Sequence, residues 1–149
     1  MAAENRKGRV LAVCASERRG TGKRSIGEGE LIAGYGLKGD AHAGSGPRQL
    51  AIIEFEKVRA INREKQLNAE PGDFAENIAT EGIEWDSVAV GTRAKVGDAE
   101  IKIIGRGKPE HGPGDYSFRG EALLAGIGIF AEITVGGSVK EGDSVELID

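Results

Sequence analysis

Glycine is the residue that most restricts how this chain can fold. It fills 24 of the 149 positions and falls between short apolar runs, and helices tolerate interior glycine poorly. The pattern therefore predicts many short strands joined by turns. Residues 9–15, RVLAVCA, read as a buried strand with Cys14 as a small core residue. Over residues 16–29 the apolar pattern vanishes, which predicts a loop. Residues 49–54, QLAIIE, form a second strand-length run leading directly into the one clear helix, residues 55–67. There Phe55, Val58 and Ile61 share a face, and Asn68 and Pro71 close the helix. After Trp85, a core-filling residue, the runs 92–96 and 99–104 flank a Gly97-Asp98 turn and predict a hairpin. Runs 127–135 and 138–147 repeat that arrangement, with bends at Gly136-Gly137 and Gly142-Asp143. So many strands with so little helix must stack as two sheets or curl into a barrel to remove their edges.

No linker or low-complexity tract divides the chain, and 149 residues suit one domain that buries roughly two-thirds of its unfolded surface. A net charge of −4, with cations clustered only at residues 18–24, argues against a nucleic-acid partner and for a local anion site. The single cysteine excludes an internal disulfide and a Cys-rich zinc module. It fits a reducing, cytoplasmic setting. No apolar run has the length of a signal peptide or a membrane span, so no membrane association is expected.

The densest chemistry lies in GLKGDAHAG, residues 36–44, followed by Arg48 and Gln49. Asp40 and His42 are two apart, and in an extended segment they point to one side; the plainer alternative is a Gly-Asp turn with a surface histidine. Arg48 offers a planar fork for an oxyanion. Upstream, Ser16, Arg19, Thr21 and Lys23 supply the hydroxyls and cations of an anion cradle, or of an ordinary solvated loop. The spacing is not that of a P-loop. In PGDFAENIATEGI, Glu76 and Asn77 bind a ligand or cap a turn. Residues 105–124 form a second loaded loop with Lys108, Glu110 and His111. His42 and His111 are the only histidines, and with Asp40 and Glu110 they would make a mixed nitrogen and oxygen metal site if the loops converge.

In chain order, SERRGTGK, GLKGDAHAG with Arg48-Gln49, PGDFAENIATEGI, the VGT…VGDAEIKI hairpin, GKPEHGPGDYSF and GIFAEITVGGSVKEGD resemble the stand-alone MOSC domains. These are named for the C-terminal domain of molybdenum cofactor sulfurase. The resemblance covers about residues 9–143 and implies a mainly β, closed or partly closed barrel with a few short helices and a core over about 9–147. It also implies an association with molybdenum-cofactor chemistry, through sulfur transfer or pterin-ligand binding, with pyridoxal phosphate binding a further family association. Molybdoenzymes or cofactor-biosynthesis proteins are the partners implied. The family's first pattern falls on Gly39, Asp40, His42, Arg48 and Gln49, its second on Glu76 and Asn77. One departure stands out: where the family usually carries a cysteine just after the late Gly-Lys, this chain reads Gly107-Lys108-Pro109-Glu110. Persulfide chemistry needs a thiolate.

Three functions follow. The favoured one is a binder of molybdate or a phosphorylated pterin cofactor, with Arg19, Thr21, Lys23, Arg48 and Lys108 holding the anion, Asp40, His42 and Asn77 orienting it, and Ser16, Gly39, Gln49 and Glu76 as further cofactor-binding positions. The second is an enzyme with Glu110 or Asp40 as general base and His42 or His111 as acid, with or without a divalent metal. The third is a sulfur carrier acting through Cys14.

Overall fold

The computed structural model describes residues 6–44, 46–107 and 116–148. Along the chain run β1 (Lys7–Ala15), β2 (Arg24–Ser25), β3 (Glu28–Ile32), β4 (Gly36–Leu37), β5 (Leu50–Glu54), α1 (Phe55–Lys65) and β6 (Ile78–Glu81). After a single 3-10 turn at Trp85–Ser87 come β7 (Arg93–Val96), β8 (Ala99–Arg106), α2 (Leu123–Ile127), β9 (Ile129–Val135), β10 (Gly137–Lys140) and β11 (Ser144–Leu147).

Seven strands pair in the order β11-β7-β8-β9-β5-β6-β1, and β1 pairs back onto β11 through Lys7↔Glu146 to Arg9↔Ser144. The sheet is thus a closed barrel, which leaves its long strands no free edge. Among the described strands only β5 and β6 run parallel, because α1 and its following turn carry the chain back across the outside of the wall. Strand β2 hangs on the end of β1, and β10, β3 and β4 form a small separate sheet.

Two apolar clusters follow from the strand period. One gathers residues from every barrel strand, among them Val10, Ile52, Ile78, Ala94, Ile101, Ala131 and Val145, around Trp85. The other lies under α1 and joins Ala12, Cys14, Ile53, Phe55, Val58 and Phe74. In β1 a register shift between Val10 and Ala12 turns Val10 inward and Ala12 outward, where strict alternation would give them the same face. Trp85 is 1% exposed, and its Nε1 donates to Thr80 Oγ1 at 2.9 Å. This satisfies the one polar atom its burial would otherwise strand.

Several sequence expectations need correction. The stretch 16–29, expected as loop, contains β2 and the start of β3. Both are short and mostly exposed, so they carry too little apolar pattern to be seen. The helix stops at Lys65, short of Leu67, because Gln66 and Asn68 take left-handed backbone. The runs 127–135 and 138–147 do not form hairpins. Strand β9 pairs with β8 and β5, β10 leaves to pair with β3, and β11 closes the barrel between β1 and β7. Gly137 lies so close to Asp98 that no Cβ would fit there. This lets the chain pass under the β7–β8 turn instead of folding back on β9.

Candidate functional site

Ala51 and Phe130 are register partners on β5 and β9. Their neighbours Leu50, Ile52, Ile129 and Ala131 point into the barrel core, so these two face outward. Over them lies a cavity of about 430 Å³. All three polar segments singled out in the sequence reach it: Arg19, Thr21 and Lys23 from the loop after β1, His42 and Arg48 from the loop before β5, and Arg106 at the end of β8 with Gly107 and Tyr116 beyond it. Leu124 and Ala125 of α2 close the apolar side. Four cations line the cavity, and no carboxylate does among the described residues.

Lys23 and Asp40 form the buried base of this arrangement. Lys23 Nζ donates to Asp40 Oδ1 at 2.8 Å and to Ser16 Oγ at 3.2 Å, with the two charged side chains 7% and 1% exposed. Asp40 also accepts the Ser16 amide on Oδ1 at 3.0 Å and the His42 amide on Oδ2 at 3.2 Å. Burial works against its charge, but the Lys23 and Ser16 hydrogen bonds and the Lys23 charge outweigh it, and its carboxyl is held below the usual range. These bonds let Asp40 position Lys23 and the 40–42 backbone, and it is not among the residues that line the cavity. His42 is held below its ordinary pKa, first by burial and then by Lys23 and Arg19, against the opposing pull of Asp40. It therefore faces the cavity as a neutral imidazole at pH 7.

Arg48 lies over the Phe130 ring, 4.3 Å from guanidinium carbon to ring centroid. That contact holds the guanidinium carbon over the ring, and the N–H groups remain donors for an acceptor. Asn77, in contrast, is spent on the fold. Its Oδ1 accepts the Ala51 amide at 3.0 Å and its Nδ2 donates to the Cys14 carbonyl at 3.3 Å, bridging β5 and β1 at the cavity wall. Gln49 Oε1 accepts the Ile133 amide at 2.9 Å, which ties the entry of β5 to β9.

Of the expected binding residues, then, Arg19, Thr21, Lys23, His42, Arg48 and Asn77 line the cavity, while Ser16, Gly39, Asp40, Gln49 and Glu76 are not among its lining residues. Glu76 is fully buried. Lys108, Glu110 and His111 lie outside the described residues, and with them the mixed metal site. Among the described residues no three His, Cys, Asp or Glu groups come together as a metal site would need, and the two cations beside His42 disfavour a metal ion there. Cys14 is fully buried in β1, and burial first, then Glu76, pushes its thiol far above the ordinary range. It does not line the cavity and presents no thiolate to a substrate. Arg106, Tyr116 and Phe130 escaped the sequence reading. Arg106 ends a strand immediately before a glycine, the one local hint that its side chain leaves the sheet at a site.

The family model described as MOSC domain matches residues 39–112. The chain belongs to the MOSC-domain family. The matched span contains His42, Arg48, Asn77 and Arg106, so the MOSC region supplies half of the cavity's cations. Arg19 and Lys23 precede it. Solved structures of similar fold include the YUAD protein of Bacillus subtilis, 20% identical with a TM-score of 0.75 over 95% of each chain. YiiM from Escherichia coli is 24% identical with a TM-score of 0.68, covering 95% of this chain and 70% of that one. YiiM from Geobacillus stearothermophilus is 12% identical with a TM-score of 0.75, covering 95% and 75%. At these identities the likeness is one of fold. No curated protein matches the sequence. No helix among the described residues is long and apolar enough to cross a membrane.

Proposed function

We propose that this MOSC protein binds a small anionic ligand in the cavity, molybdate or a phosphorylated pterin cofactor, as a carrier or as a partner in cofactor sulfuration or insertion. The observation that carries the reading is the wall itself: Arg19, Lys23, Arg48 and Arg106 around one space, with no lining carboxylate among the described residues. Cations that face a partly desolvated space with no lining carboxylate attract an anion more strongly than they would in water, even where, as for Lys23, the charge is already paired from behind. Lys23 is held by Asp40 as a fixed point charge, and Arg48 is held over the Phe130 ring. Thr21 and the neutral His42 add hydrogen-bonding capacity suited to oxygen acceptors.

The size and the apolar side of the cavity favour an organic anion over a bare oxyanion. Its volume of about 430 Å³ lies within the usual range of small-molecule sites, about 300–1,000 Å³. Phe130, Leu124 and Ala51 offer a surface for a ring or chain carried by the anion. A molybdenum cofactor bound there would supply redox or sulfur chemistry at its metal, while this chain's residues hold the phosphate, orient the ring and exclude water. The buried Cys14 and the departure at Glu110 support a holding role over a sulfur relay.

Protein isolated from a molybdenum-replete source is expected to carry molybdenum or a fluorescent pterin, and Arg48→Ala to lose it. Protein that carries neither and has affinity for neither contradicts the proposal.

A further inference from the structure

The turn over residues 71–77 is built around a buried carboxyl group. Glu76 is fully buried, and its Oε1 has no hydrogen-bond partner. Its Oε2 accepts the Gly72 amide at 2.7 Å. The Gly72 carbonyl in turn accepts the Lys23 amide at 2.7 Å and the Ala75 amide at 2.9 Å, and the Asp73 carbonyl accepts Tyr116 Oη at 2.9 Å. Gly72 is wedged so tightly that a Cβ there would strike the Lys23 carbonyl and sit 3.2 Å from Cys14 Sγ. Ala75, which lines the cavity, is held at φ +71°, a left-handed conformation that costs an alanine about 1–2 kcal/mol. The turn therefore fixes Lys23, Ala75, Asn77 and Tyr116 on the cavity wall, and it does so under strain.

Burial is the strongest influence on Glu76 and works against its charge, and the backbone amides of Gly72, Glu76 and Phe74, which favour the charge, do not outweigh it. Asp73 on the same turn repels that charge; the Cys14 thiol on β1 and the Tyr116 phenol each feel Glu76 as a charge that raises them. Lys23 gives its ammonium to Asp40 and Ser16. A buried carboxylate with an unpaired oxygen and no cation beside it takes up a proton instead. We infer that the 71–77 turn is a proton-operated clasp on the cavity, held shut by neutral Glu76 and loosened as Glu76 ionises. Burial raises this carboxyl from 4.5 to about 7, which supports the inference and sets its window. A group raised in the closed turn and ordinary in the open one makes opening easier with rising pH between the two values, by about tenfold per pH unit, and flat above the upper one.

The inference concerns the free protein and stands apart from what the cavity binds. The test is a carbon-detected NMR titration of the Glu76 carboxyl, together with amide exchange at Gly72 and Lys23 corrected for base catalysis. The expected result is a midpoint near 7 and an opening constant that rises about tenfold per pH unit from about pH 5 to about pH 7 in the wild type. In Glu76→Gln the opening constant should be level. A Glu76 midpoint in the ordinary carboxylate range, or the same exchange profile in the Gln variant, overturns the clasp. If the Gln variant does not fold, the wild-type midpoint and profile decide. A cavity that binds no anion would remove the proposed function and leave this result intact.

Discussion

Replacing Asp40 with asparagine tests the base of the site. The side chain is 1% exposed, receives Lys23 Nζ at 2.8 Å and accepts two backbone amides. Asparagine keeps an acceptor and the volume but removes the charge, so Lys23, itself 7% exposed, is left buried and unbalanced. Breaking a buried pair on one side costs about 3–5 kcal/mol, a large share of the 5–15 kcal/mol that typically holds a domain. At about 3 °C per kcal/mol for a chain of this size, the melting temperature should fall by about 9–15 °C. Urea unfolding across pH supplies the sharper readout. Despite the opposing effect of burial, Lys23 and Ser16 hold the Asp40 carboxyl below its usual range. The stability this provides is therefore fully present above the unfolded value and is lost as pH falls through the lower, folded one. The gap between wild type and Asp40→Asn should thus be widest at neutral pH and close on acidification. Lys23→Met in the Asn background should restore a good part of the loss, since both charges are then gone. A neutral-pH loss below about 1 kcal/mol, or a gap that does not change with pH, would refute the buried pair as described.

Three further outcomes follow from the packing. Cys14, fully buried with a raised thiol, should react with a thiol reagent only at the rate of unfolding; fast labelling of native protein would show that β1 opens onto solvent. Trp85→Phe removes the 2.9 Å hydrogen bond to Thr80 and part of the core volume. The expected cost is about 2–4 kcal/mol by urea denaturation, and a neutral result would contradict the burial of that pair. Gly72→Ala places a methyl group against the Lys23 carbonyl at φ +92°. It should destabilise by more than about 2 kcal/mol and, in a folded variant, raise amide exchange at Lys23.

That the chain is strand-rich was legible because its strands obey simple rules, while the choice of a barrel over stacked sheets rested on the family resemblance. Val96 and Ala99 flank a two-residue turn and pair as expected, and the density of such runs requires closure or stacking. What was not legible is which strands meet across the chain. Strand β10 has the same local pattern as a hairpin arm, and only its tight passage at Asp98 sends it to β3. The site divides the same way. Arg19, Lys23, His42 and Arg48 stood out because polar chemistry in glycine-rich loops has few structural uses. Glu76 and Asn77 looked equally polar, yet Asn77 bridges two strands and Glu76 lies within its own turn. Local sequence does not distinguish a side chain that bonds its own backbone from one that waits for a ligand. Phe130 and Tyr116 read as core or surface until the fold brings them beside Arg48 and Asp73.

The central claim, that the four-cation cavity holds an organic anion, is tested most directly by calorimetric titration of the purified protein with molybdate and with a phosphorylated pterin. Wild type, Arg48→Ala and Arg106→Ala should be compared at low and at physiological salt. The account predicts saturable binding that weakens with salt, with the pterin phosphate preferred over molybdate. Each arginine substitution should lower the affinity about 10- to 100-fold, the worth of one charged hydrogen-bonding partner. Absence of binding by either anion, or arginine variants that bind as the wild type does, would contradict it.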